Sequence, residues 1–84
     1  MNTNEIFELI ANNLKEILTD VEDEAITYES QLCLLGASSV ERAELIEKTL
    51  EDLKLEADRF EFHSASNLGE LSMMFSERVN PKSV

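Results

Sequence analysis

Basic side chains are scarce in this sequence: seven lysines and arginines stand against eighteen aspartates and glutamates among 84 residues, a net charge of −11. A surface of that sign repels phosphate backbones and anionic lipid, which argues against DNA, RNA and membrane partners. Positively charged protein surfaces are its complement, with charge setting the encounter rate more than the final affinity. Cysteine occurs once, so Cys33 cannot form an intrachain disulfide, and in its apolar run the thiol is expected to pack in the core. Histidine also occurs once. With no second histidine or nearby cysteine, His63 is a poor zinc ligand, and without a recognisable nucleophile it is a poor catalytic base, so a surface or capping role is expected. No apolar run has the length of a membrane span, and the acidic amino terminus lacks a signal-peptide pattern, so a cytoplasmic protein is expected. Hydrophobic residues at 43% are ordinary for a folded domain. Residues 1–84 are read as one domain that buries only about 60–65% of its unfolded surface, leaving little room for an interior catalytic pocket.

What is present is helical periodicity. Over about Thr3 to Leu18, Ile6, Ile10, Leu14, Ile17 and Val21 recur at three- and four-residue spacing, and Phe7, Ala11 and Leu18 widen the stripe. Asn2 or Thr3 can cap this helix, Glu5 suits its first turn, and Lys15 and Glu16 face solvent. From Thr19 to Ala37 the periodicity fails, giving a long acidic loop. Connections longer than about 12–15 residues are usually functional or anchored, and Ile26, Leu32 and Leu35 are the expected anchors. A second helix runs from Ser39 to about Lys54, with Val40, Ala43, Ile46, Leu50 and Leu53 inward. Its outer face carries Glu41, Glu44, Glu47, Glu51 and Asp52, broken by Arg42 and Lys48, with Glu44 and Lys48 spaced for a local ion pair.

Residues 55–66 are read as a short third helix that drops Phe60 and Phe62 into the core. The last helix begins after Ser66 or Asn67, with Asn67 and Glu70 as a cap-like pair and Leu68, Leu71 and Phe75, joined by Met74 and Val79, on its apolar side. Met73 and Met74 are read as adaptable core filler, Gly69 as a weak point costing about 0.5–1 kcal/mol, and Pro81 onward as a frayed tail. The sum is an all-α fold, a small four-helix bundle with three long helices, one short one and a long first loop.

The most informative stretch is Leu34-Leu35-Gly36-Ala37-Ser38-Ser39-Val40-Glu41-Arg42-Ala43-Glu44-Leu45-Ile46. Gly36 permits backbone angles closed to other residues, and Ser38 with Glu41 three residues on is a capping box. Turn and helix start therefore sit side by side, and Ser39 falls in the first helical turn. There the positive end of the helix dipole would favour a phosphate on its oxygen by about 0.3–1 kcal/mol. With no histidine or lysine in the motif, nucleophilic catalysis by Ser39 lacks a base.

This stretch resembles the attachment site of acyl carrier proteins, carried here by Leu35, Gly36, Ser39, Val40, Ala43, Glu44, Leu45 and Ile46. The resemblance implies that Ser39 bears 4'-phosphopantetheine in phosphodiester linkage, attached from CoA by a phosphopantetheinyl transferase. It also implies a carrier without catalysis of its own, whose arm presents acyl groups as thioesters. Ser38 departs from the family's usual aspartate: it keeps the cap and drops one negative charge. The implied docking residues are Ser38, Val40, Glu41, Glu44, Glu47 and Glu51, for acyltransferase, ketosynthase or HMG-CoA-synthase-like enzymes meeting a monomeric carrier.

Val40 in place of leucine and the run Phe62-His63-Ser64-Ala65-Ser66-Asn67-Leu68 look more like freestanding polyketide carriers, including the acetyl or malonyl donors of β-branching cassettes. Carriers of fatty acid, D-alanine or amino acid pathways share the layout. An acidic helical adaptor for a basic protein is the reading from another class, and it leaves Gly36 and the tandem serines unexplained.

Overall fold

The computed structural model describes residues 2–79, the side chain of Asp23 apart; the tail expected from Pro81 onward lies outside that range. Three helices carry the fold: α1 (Thr3–Ile17), α2 (Ser39–Leu53) and α3 (Leu68–Val79), with no strand among the described residues. α1 packs against both others, so it is the spine of the bundle. Its start is fixed by a capping box in which the Glu5 amide donates to Asn2 Oδ1 at 2.8 Å and the Asn2 amide to Glu5 Oε1 at 3.0 Å. Ile6, Ile10 and Leu14 are fully buried against Leu45, Ile46, Leu50, Leu68, Leu71 and Phe75. Each such side chain contributes about 1.5–3 kcal/mol by leaving water.

The short third helix contracts to one 3-10 turn, Arg59–Phe62, opened by Asp58, whose carboxylate accepts from the Phe60 amide at 3.0 Å. Phe62 is buried and stacks on Phe75, with ring centroids 4.3 Å apart, whereas Phe60, expected beside it in the core, is 64% exposed. Residues two apart on a helical turn do not face the same way, so only one of the pair can enter the core. In α2 the expected inward residues Ile46 and Leu50 are buried and Leu53 packs on the core, while the N-terminal end of the stripe differs. Leu45, Ile46, Thr49 and Leu50 are the buried residues of α2, and Val40 lies outside the bundle at 75% exposure. Nine residues are about two and a half turns, which sets Val40 opposite the buried Thr49.

The three polar residues buried in the core, Asn13, Thr49 and Ser72, are hydrogen-bonded. Thr49 and Ser72 donate back to the carbonyls of Leu45 and Leu68, each at 2.8 Å, and the Asn13 amide reaches Thr49 Oγ1 and Asp52 Oδ2. On the outside, Lys48 pairs with Glu16 of α1 rather than with Glu44, so Glu16 is more than a solvated residue. This partner holds the Lys48 ammonium above its ordinary value. Cys33 is exposed, not buried, and Met73 is exposed while Met74 packs against the core.

The long loop is pinned rather than structureless. It contains 3-10 turns at Asp23–Ala25 and Leu32–Leu35, and Ile26 and Leu32 are buried as anchors, with Leu35 partly so. Phe7 and Tyr28 stack at 4.3 Å, and the Tyr28 hydroxyl donates to Asn4. The first amides of α3, which have no partner within their own helix, donate to this loop: Leu68 to the Ser30 carbonyl at 2.9 Å and Gly69 to the Tyr28 carbonyl at 2.8 Å. Gly69 is therefore a contact residue rather than a weak point, because a Cβ there would lie 3.0 Å from the Tyr28 oxygen and 3.1 Å from its ring. The Glu70 amide donates to Asn67, and its carboxylate turns back to the amide and hydroxyl of Ser66, at 3.3 and 2.7 Å.

Two outcomes follow from these contacts. Gly69→Ala improves helix propensity by about 0.5–1 kcal/mol but forces the Tyr28 backbone outward at a cost of about 1–3 kcal/mol, so denaturant unfolding will show net destabilisation. The Ser66 hydroxyl and amide hold the Glu70 carboxyl below its ordinary value of 4.5. The stability this contact adds is complete above that value and is lost as pH falls through the lower folded pKa. An NMR titration will show the Ser66 amide and Glu70 carboxyl moving together below the ordinary value.

Candidate functional site

Gly36, with φ of +93°, closes the Leu32–Leu35 turn, its amide donating to the Cys33 carbonyl while Ala37 donates to that of Leu32. The left-handed conformation is open to glycine without strain. Two residues later the chain enters α2 through a reciprocal cap: the Glu41 amide donates to Ser38 Oγ at 3.3 Å, and the Ser38 amide to Glu41 Oε1 at 2.9 Å. Ser39 is then the first residue of α2 and is exposed. Among the described residues no group hydrogen-bonds its hydroxyl, which stands at the positive end of the helix dipole.

The predicted docking residues separate into two groups. Ser38 and Glu41 are committed to each other in the cap, and the Glu47 carboxylate takes a charge-assisted bond from Arg59 at 2.6 Å. Glu44 and Glu51 are exposed and, among the described residues, make no hydrogen bond or ion pair within the chain. Val40, predicted both inward and as a docking residue, points to solvent. An open groove of about 530 Å³ lies between α2 and the Arg59–Phe62 turn, lined by Ser39, Val40, Ala43, Glu44, Phe60 and His63 and bordered by the Glu47–Arg59 pair.

Arg42 holds the far wall of that groove. One terminal nitrogen donates to the carbonyls of His63 and Ala65, at 2.7 and 2.9 Å, which fixes the turn against α2. His63 shares the groove with Ser39, but its Nε2 is buried and has no hydrogen-bond partner, so the two do not form a nucleophile–base pair. Among the described residues no cluster of histidine, cysteine and acids could hold a metal ion, and no helix is long and apolar enough to cross a membrane.

Sequence reasoning missed Phe60 and Arg59 in the groove beside Ser39, Arg42 as the clamp on its wall, and the exposure of Leu34. Phe60 was legible in principle, since it lies two residues from Phe62 in one helical turn. Leu34, 77% exposed, belongs to an apolar run of four, more than one turn can bury. The roles of Arg42 and Arg59 depend on which backbone and which acid lie opposite them, and local spacing does not carry that.

No family model matches the chain. It is 39% identical over 79 residues to the polyketide biosynthesis acyl-carrier-protein AcpK of Bacillus subtilis (strain 168), a match spanning 94% of this chain and 96% of that protein. Among solved structures it is similar to a chain in the crystal structure of the curacin biosynthetic pathway HMG synthase in complex with acetyl donor-ACP. That likeness has a TM-score of 0.85 and 36% identity, covering 90% of this chain and 97% of the other.

The cap makes a separable demand on Ser38. Ser38→Ala removes the acceptor for the Glu41 amide and will lower stability by about 1 kcal/mol in chemical denaturation, whereas Ser38→Asp retains the cap and will not.

Proposed function

The chain belongs to the acyl carrier protein family, and from that premise we propose that Ser39 carries 4'-phosphopantetheine and that the protein supplies acetyl groups to a synthase of the HMG-CoA-synthase type in polyketide biosynthesis. The observation that carries this reading is the exposed Ser39 hydroxyl at the head of α2, which no group among the described residues bonds. Its surroundings fit the group: the helix dipole favours a phosphodiester at this position, and the Ser38–Glu41 cap keeps the first turn rigid without occupying the reactive oxygen. When bound, the arm supplies a terminal thiol on which an acyl group is held as a thioester.

The chain's own part is placement. α2 and the pinned loop hold Ser39 outward, where the active site of a transferase can reach it. Glu44 and Glu51 offer unspent negative charge to basic partner surfaces, which speeds the encounter. Attachment raises the local concentration of the acyl group at a docked enzyme to about the millimolar range. Catalysis is left to the enzymes that load and unload it: a phosphopantetheinyl transferase, then an acyltransferase, ketosynthase or HMG-synthase-like enzyme. The pathway assignment is supported by the near full-length match to a polyketide carrier and by the likeness to a carrier crystallised with an HMG synthase.

Incubation with a phosphopantetheinyl transferase, Mg²⁺ and CoA will add one phosphopantetheine mass to the intact protein. Ser39→Ala will abolish the gain while leaving the far-ultraviolet circular dichroism unchanged. An acidic adaptor would gain no mass.

A further inference from the structure

We propose that Phe60, together with Val40, is the specificity-determining contact through which the acetyl-accepting synthase seats this carrier, a proposal that rests on the function assigned above. The partner side chain that fits the groove is apolar, with one Lys or Arg beside it for Glu44.

Phe60 and Val40 are 64% and 75% exposed and line the same groove as Ser39. Exposed apolar residues scattered singly require no explanation, but a β-branched residue and an aromatic ring facing one groove beside the reactive serine are a concentrated apolar surface. The ring is held in place before any partner arrives. Asp58 caps its turn, the Arg59 guanidinium lies 5.0 Å from its centroid, the His63 ring packs at 5.4 Å, and Arg42 clamps the carbonyls of His63 and Ala65. An aromatic anchor ordered in the free protein loses little entropy on binding, which is the property of an interface hot spot.

Charge defines the occupant further. Glu41 is committed to the cap and Glu47 to Arg59, so of the acids on the groove only Glu44 makes no bond within the chain among the described residues. Arg59 also places a fixed cation beside Glu47, and a partner cation is repelled there and directed to Glu44. The groove therefore selects an apolar side chain flanked by a single basic one, and disfavours a row of cations matched to a uniformly acidic helix. Such positive and repulsive elements together are what specificity requires.

The test loads the full chain with acetyl-phosphopantetheine, using a transferase and acetyl-CoA, and measures acetyl transfer to an HMG-synthase-type enzyme. The variants are Phe60→Ser, Phe60→Leu and Glu44→Gln, each checked for helicity. Phe60→Ser is expected to raise KM at least tenfold with kcat within twofold, and Phe60→Leu to stay within threefold of the parent. The Phe60→Ser defect will persist in high salt, whereas the Glu44→Gln defect will disappear as screening removes the charge it lacks. A Phe60→Ser protein that transfers with unchanged KM overturns the proposal while leaving the carrier function standing. So does a shift of the Phe60 ring signals on loading alone, which would make the arm the occupant. If the parent protein transfers no acetyl group at all, both readings fall.

Discussion

The first amides of α3 have no acceptors in their own helix, and the loop between α1 and α2 provides them. Leu68 and Gly69 donate to the carbonyls of Ser30 and Tyr28, and a glycine at 69 lets the two backbones come that close. This single exchange turns a connection that would be free to wander into a fixed strap. The strap delivers the chain to Leu32, buried as an anchor, and through Gly36 to the start of α2. The place of Ser39 in space is thus set by bonds at the opposite end of the sequence.

Around that serine, charge is used in two ways. Some acids are structural: Glu41 completes a cap, Glu16 ties α1 to α2 through Lys48, and Glu70 returns to Ser66. Others make no bond within the chain among the described residues, with Glu44 and Glu51 the clearest on α2. A net charge of −11 therefore overstates the local negative field on the face of α2 beside Ser39. An arginine contributed by the neighbouring turn interrupts it, and exposed apolar side chains take up part of the surface.

Much of this was legible before the structure. Capping signals located the starts of all three helices, and the loop-to-helix motif located the serine, because turns and caps depend on residues only a few positions apart. Ile46, Leu50 and Leu53 of α2 were placed inward correctly, whereas Val40 was taken for core and Leu45 was not, since both fit an apolar stripe and only the neighbouring helices decide. Cys33 and Phe60 were assigned to a core whose limited volume had been taken by Leu32 and Phe62. Gly69 was read through helix propensity alone, and its actual reason is a carbonyl forty-one positions earlier in the chain.

That strap also divides the loop into parts of unequal tolerance to change in length. Between Tyr28 and Gly36 the Tyr28 and Ser30 carbonyls are in register with the head of α3, and the Leu32–Leu35 turn with the entrance to α2. An added or deleted residue there would shift the acceptors off the α3 amides and turn the serine to another side. Upstream, between the end of α1 and Ala25, no backbone hydrogen bond to α3 is formed among the described residues. Relatives of different length are accommodated most cheaply there, without disturbing the presentation of Ser39.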